Sequence, residues 1–82
     1  MDAIITGEGD GTVGLSVIDN NNVEHLIELA NSGEITAHQQ DGYPDKSDER
    51  TVDENESVAE ARLFAQYTVY RERGYSTLPS HR

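Results

Sequence analysis

The sequence predicts an α+β domain: a small antiparallel β-meander of three to four strands covered by one long C-terminal helix. Three observations predict it. Apolar residues alternate with polar ones along 12–18. Two turn segments of equal length then set the following segments in a register that keeps the large aliphatics on one face. A helix-start signal at Thr51 to Glu54 opens a long stretch of helical spacing that closes at Gly74. A helix laid over one face of such a sheet buries both apolar surfaces, the simplest two-layer solution.

Taken in order, Val13, Leu15 and Val17 share one face of a half-buried strand, with Thr12, Gly14 and Ser16 on the other. Asp19-Asn20-Asn21-Asn22 reads as a turn, because Asn tolerates left-handed backbone angles. Residues 23–30 are ambiguous: Val23, Leu26, Ile27 and Ala30 fit a helix stripe, whereas Val23, Ile27 and Leu29, with His25 between, fit a strand face. Register favours the strand. A three-residue Asn20–Asn22 loop pairs Leu15 with Ile27 and Val13 with Leu29. A three-residue Asn31-Ser32-Gly33 loop, with Gly33 left-handed, sets Leu29 opposite Ile35 and Ile27 opposite Ala37. A slip of one residue would mix the faces. The expected strands are therefore about 12–18, 23–30 and 34–40, with residues 2–6 available as a fourth. Residues 41–50 are loop, punctuated by Gly42 and Pro44.

The helix is expected over about 52–73. Thr51-Val52-Asp53-Glu54 is a capping box. Acids in the first turns and Arg71 and Arg73 in the last match the macrodipole, and Gly74 supplies a left-handed stop. Val58, Ala61, Ala65 and Thr68 or Val69 form a small-residue stripe that can lie flat on a sheet. Leu63, Phe64, Tyr67, Tyr70 and Arg71 are expected to widen the covered surface.

Composition narrows the setting. The chain has 82 residues, enough for one domain spanning 1–82. Its hydrophobic fraction is 34%, so the core must be thin, and with no Cys there is no disulfide to staple it. Oligomerisation, a homodimer above all, is the remaining support. Sixteen Asp and Glu against six Lys and Arg give a formal net charge of −10. A surface this acidic, with Lys46 its single lysine, suits a cytosolic protein of a salt-loving microbe, and its folding is expected to depend on salt. No apolar run approaches the ~18 residues of a membrane span. The start has no basic region and no long apolar stretch, so neither a signal peptide nor a membrane partner is expected. Acids dominate residues 1–60, whereas 61–82 carry only Glu72 against four Arg.

Several segments taken together resemble a family of short, uncharacterised haloarchaeal proteins. They are Asp19 to Val23, Ser32-Gly33-Glu34-Ile35, His38 to Asp45, Ala61-Arg62-Leu63-Phe64-Ala65 and Val69 to Tyr75. The resemblance covers most of 12–78. It implies a halophilic archaeal cytoplasm and a small α+β fold, and it implies no activity.

Most chemical motifs dissolve on inspection. Gly9-Asp10-Gly11-Thr12-Val13-Gly14 matches G-x-G-x-x-G, but a strand follows it where a dinucleotide loop needs a helix, and Glu8 and Asp10 would repel phosphate. His25, His38 and His81 lack a metal-binding spacing. In the expected register His25 faces the helix and His38 the open side, so the two diverge, and His25 is expected to be a buried, hydrogen-bonded histidine. Asn55-Glu56-Ser57 spells a glycosylation triplet inside a helix. No serine sits in a nucleophile elbow, and no catalytic residue, cofactor or metal is expected.

The constellation that remains is His38, Tyr43, Tyr67, Tyr70, Arg71, Arg73 and Tyr75. Tyr and Arg are enriched at binding hot spots, and Tyr67, Tyr70 and Arg71 share a helix face. Their structural alternative is to edge a thin core and to answer the acidic loop. The leading expectation is a non-enzymatic interaction or self-associating module, either a homodimer or a binder of another protein. A nucleic-acid or nucleotide accessory role, using Arg62, Arg71 and Arg73 with tyrosine stacking, is opposed by the net charge. A ligand site or enzyme around His38, Asp41 and Tyr43 would require a cleft.

Overall fold

A computed structural model describes residues 1–73, with Arg73 described by its backbone alone. The expected roles of Gly74, Tyr75 and His81, and of the Arg73 side chain, lie outside the described part. The elements are β1 (Asp2–Gly9), β2 (Thr12–Ile18), β3 (Glu24–Ala30), β4 (Ile35–Gln40), a 3₁₀ turn (Ser47–Glu49) and α1 (Val52–Arg73). The four strands form one antiparallel sheet in the order β1-β2-β3-β4, and α1 packs on one face. The fold is thus the expected α+β meander, with the segment at the start of the chain as the fourth strand.

Turn chemistry sets the register. Gly11 (φ 79°) closes the β1–β2 turn, so the glycine-rich motif is a hairpin leading into a strand. Asn22 holds φ 67°, and the amide of Asp19 donates to the carbonyl of Val23 at 3.0 Å, closing the Asn20–Asn22 loop. Leu15 therefore meets Ile27, and Val13 meets Leu29. Gly33 (φ 91°) closes the next loop, with its amide 2.9 Å from the carbonyl of Ala30. Leu29 then faces Ile35.

Beyond that pair the expected register fails. Glu28 pairs with Ala37 and Ile27 with His38, because a bulge accommodates Thr36 as an extra residue in β4. Ile27 does not face Ala37. Ala37 and Gln39 turn outward, and His38 turns toward the helix, onto the same face as His25. A second bulge, at Thr6, shifts the β1–β2 register in the same way.

The core is Val13, Leu15, Val17, Ile27 and Leu29 from the sheet against Ala61, Ala65 and Val69 from α1, edged by Met1, Ala3, Ile5, Ile35 and Phe64. Each fully buried aliphatic contributes roughly 1.5–3 kcal/mol. Ala61 and Ala65 have no accessible surface, which lets the helix backbone approach the sheet closely. That close approach has a cost in breadth. Positions two residues beyond each alanine rotate away by roughly 200°. Leu63 (48% exposed) and Tyr67 (50%) therefore stand in solvent with Arg71, and do not widen the covered surface as the spacing suggested. Phe64 and Tyr70 are half-buried.

The helix start is built as expected. The amide of Glu54 donates to Thr51 Oγ1 at 3.1 Å, and the amide of Thr51 donates to Glu54 Oε1 at 2.9 Å. The preceding loop is fastened by Arg50, which donates to the carbonyls of Pro44 (2.7 Å) and Asp45 (2.8 Å) and to Asn55 Oδ1 (3.3 Å).

Candidate functional site

Beside the aliphatic core, between the sheet and α1, lies a chain of polar contacts. Arg62 Nη1 is 3.1 Å from His38 Nδ1, His38 Nε2 is 2.9 Å from His25 Nδ1, and His25 Nε2 is 2.9 Å from Asp19 Oδ2. The Tyr43 hydroxyl also donates to Asp19 Oδ2, at 2.7 Å. Asp19 Oδ1 accepts the amides of Asn21 (2.9 Å) and Val23 (3.0 Å). Asn21 Nδ2 reaches Tyr43 Oη at 3.1 Å and Ser57 Oγ at 3.3 Å. One network thus joins the β2–β3 turn, β3, β4, the loop after β4, and the helix.

The donors fix its direction. A guanidinium only donates, so His38 Nδ1 must accept and its proton sits on Nε2. That proton points to His25 Nδ1, which leaves the His25 proton on Nε2, pointing to Asp19. The run Arg62 to His38 to His25 to Asp19 has a cation at one end and an anion at the other, with the two rings between.

Burial by itself would raise the Asp19 carboxyl, but donation from His25, the Val23 amide, Tyr43 and the Asn21 amide outweighs it and holds the group below its ordinary value. His38 is lowered to about 4, first by burial and then by the neighbouring His25, Arg62 and Arg50. Asp19 and His25 have side chains with no accessible surface, yet among the described residues no buried side-chain nitrogen or oxygen lacks a partner. At neutral pH His38 is a weak base, and both of its ring nitrogens are engaged. The arrangement is suited to fastening the helix to the sheet.

The second feature is the outward side of α1. Leu63, Phe64 and Tyr67, with Met1 and Glu60, line a shallow groove of about 390 Å³. The Arg71 guanidinium lies 5.3 Å from the centre of the Tyr67 ring, a cation–π contact. A depression of about 470 Å³ on the uncovered sheet face is edged by Thr6, Gly14, Leu26, Glu28, Ala37 and Gln39.

The residues singled out from the sequence therefore divide. His38 and Tyr43 belong to the internal network, Tyr67 and Arg71 to the open helix face, and Tyr70 is half-buried near the helix end. The expectation that His25 and His38 diverge is overturned by the Thr36 bulge: their ring nitrogens are 2.9 Å apart. Asp41 is exposed. His25 is buried and hydrogen-bonded, as expected, but the sequence does not single out Asp19, Asn21 and Arg62 as members of its cluster. The available signal is His25 itself, since a histidine on the covered face of a strand needs partners for both ring nitrogens.

Fold and geometry together define a class: a small two-layer α+β domain whose helix is tied down by a buried polar network and whose outer helix face is left open. Within that class the chain belongs to a family of unknown function, DUF7958, whose model matches residues 1–82. No match was found to a curated protein or to a solved structure. Among the described residues, no helix is long and apolar enough to cross a membrane.

Proposed function

We propose that the protein is a non-enzymatic, self-associating module of a halophilic, archaeal cytoplasm, and that it associates through the open face of α1. The observation that carries this reading is the exposure of Leu63 and Tyr67, each about half accessible, beside Phe64 and Met1 on a chain of net charge −10. Ile4, Leu26 and Val52 are exposed elsewhere, but among the described residues only here do exposed apolar and aromatic side chains line a groove rimmed by both an acid and a base, the expected form of a contact site. The thin core points the same way, since an 82-residue chain without disulfides gains stability by association.

Two further observations support a role without catalysis or nucleic acid. The polar atoms best equipped for chemistry, on Asp19, His25, His38 and Tyr43, are bonded to one another. Arg50 is bound to the Pro44 and Asp45 carbonyls and Arg62 Nη1 to His38, which commits part of the chain's few cations to internal contacts. The salt-adapted setting rests on the excess of acids over bases and on the single lysine.

The test is the solution mass, measured by light scattering after gel filtration in roughly molar KCl. A dimer with a concentration-dependent mass supports the reading. A monomer at every concentration up to the solubility limit removes it.

A further inference from the structure

We infer that the partner on the open helix face is a second copy of this chain, its α1 packed antiparallel across a two-fold axis so that Glu60 of each copy meets Arg71 of the other. The inference rests on the self-association proposed above and specifies its geometry.

Glu60, Leu63, Phe64, Tyr67 and Arg71 recur at intervals of three and four residues, so they form one stripe along the helix. The stripe is polar at both ends and apolar in the middle, and its two ends have opposite charge. Glu60 and Arg71 are eleven positions apart, about 16 Å at 1.5 Å per residue. An isologous dimer brings one patch against its own copy in reverse. Reversal about a point between Phe64 and Tyr67 sets Phe64 against the other copy's Tyr67 ring and the acid against the base. A parallel pair would set acid on acid and base on base. The charges therefore select the antiparallel arrangement, and the apolar middle supplies the attraction that salt does not screen.

Local geometry leaves the stripe available. Among the described residues Glu60 makes no ion pair, and Arg71 rests on Tyr67 within the stripe itself. A second helix would fill the groove of about 390 Å³ that Met1, Glu60, Leu63, Phe64 and Tyr67 line. The uncovered sheet face suits the same partner less well: its exposed Ile4 and Leu26 sit among Asp2, Glu24 and Glu28, all of one sign.

The experiment is a charge-reversal pair, Glu60→Arg and Arg71→Glu. Each is examined alone and in equal mixture by light scattering and native mass spectrometry. The KCl concentration is the lowest at which circular dichroism shows every protein folded. Each variant alone sets like charges together twice across the axis, so dimerisation should weaken by roughly tenfold or more. The mixture restores both opposite pairs and should form a heterodimer with wild-type affinity. A third variant, Leu63→Asp, alters a half-exposed position outside the core and should give a monomer even in molar KCl.

A wild-type dimer unaffected by these three changes overturns the helix pairing while leaving self-association intact, built on another face. Single variants that weaken without rescue on mixing overturn the antiparallel register. A wild-type monomer removes both this inference and the reading beneath it.

Discussion

Lowering the pH should unlock the network at His38, and the size of the effect can be worked from its surroundings. In the fold this ring titrates at about 4, against 6.5 for an unperturbed histidine. The folded state therefore prefers the neutral ring. The stability this represents is fully present above pH 6.5, the unfolded value. It erodes as the pH falls toward 4, because the unfolded chain takes up the proton first. A gap of that size corresponds to roughly 3 kcal/mol at about 1.4 kcal/mol per unit. The ring keeps some contact with solvent, so roughly 2 kcal/mol is the figure expected in practice. Asp19 does not confuse this window: its carboxyl is held below 3.8, so its own contribution fades only at lower pH. A general effect does oppose it, since acid also neutralises carboxylates and relieves repulsion in a chain of net charge −10. The assay is therefore differential. Urea unfolding of the wild type and of His38→Gln, which keeps a donor but cannot titrate, is followed from pH 7.5 to 4.5 in molar KCl. The stability advantage of the wild type should shrink by roughly 2 kcal/mol across that range. Two curves that stay parallel would refute the assignment of His38 as a neutral link between Arg62 and His25.

Two further changes probe the frame around that link. Asp19→Asn removes the charge that accepts from His25, Tyr43 and two amides, and should cost about 3–5 kcal/mol in urea unfolding, as expected when one member of a buried pair is lost; a loss below about 1 kcal/mol would mean that the network contributes little. Gly42→Ala forces a side chain onto a backbone at φ 144° and sets its Cβ 3.2 Å from Val23, so thermal unfolding should show a loss of about 1–3 kcal/mol, and an unchanged melting temperature would argue against that loop conformation.

The sheet and helix were legible because their signals are local. Alternation at Val13, Leu15 and Val17, the Asn-rich and Asn-Ser-Gly turns, and the Thr51–Glu54 capping box each involve neighbours in the chain. The network was illegible because its members come from five separate segments and are brought together by one irregularity. Nothing in Ile35-Thr36-Ala37-His38 announces a bulge; a regular strand with His38 outward is equally consistent with that pattern. What favours the bulge is tertiary. It gives His25 Nδ1 a donor and gives the Arg62 guanidinium an acceptor, and neither need is visible from residues 35–38 alone. The open helix face was misread for a related reason: spacing reveals which residues share a side, but not how narrow a contact Ala61 and Ala65 would make.

The polar network has a further consequence, for strand alignment. Sliding β4 along β3 by two residues preserves which side chains point inward, so an aliphatic core alone discriminates weakly against it. The same slide displaces His38 by about 6.6 Å, beyond reach of both His25 and Arg62. It would leave the buried His25 Nδ1 without its partner, a penalty of about 1–3 kcal/mol. The Asp19-to-Arg62 run thus acts as an alignment key: it adds a penalty against the even-numbered misalignments, which hydrophobic patterning tolerates, beside the odd-numbered ones that patterning already forbids.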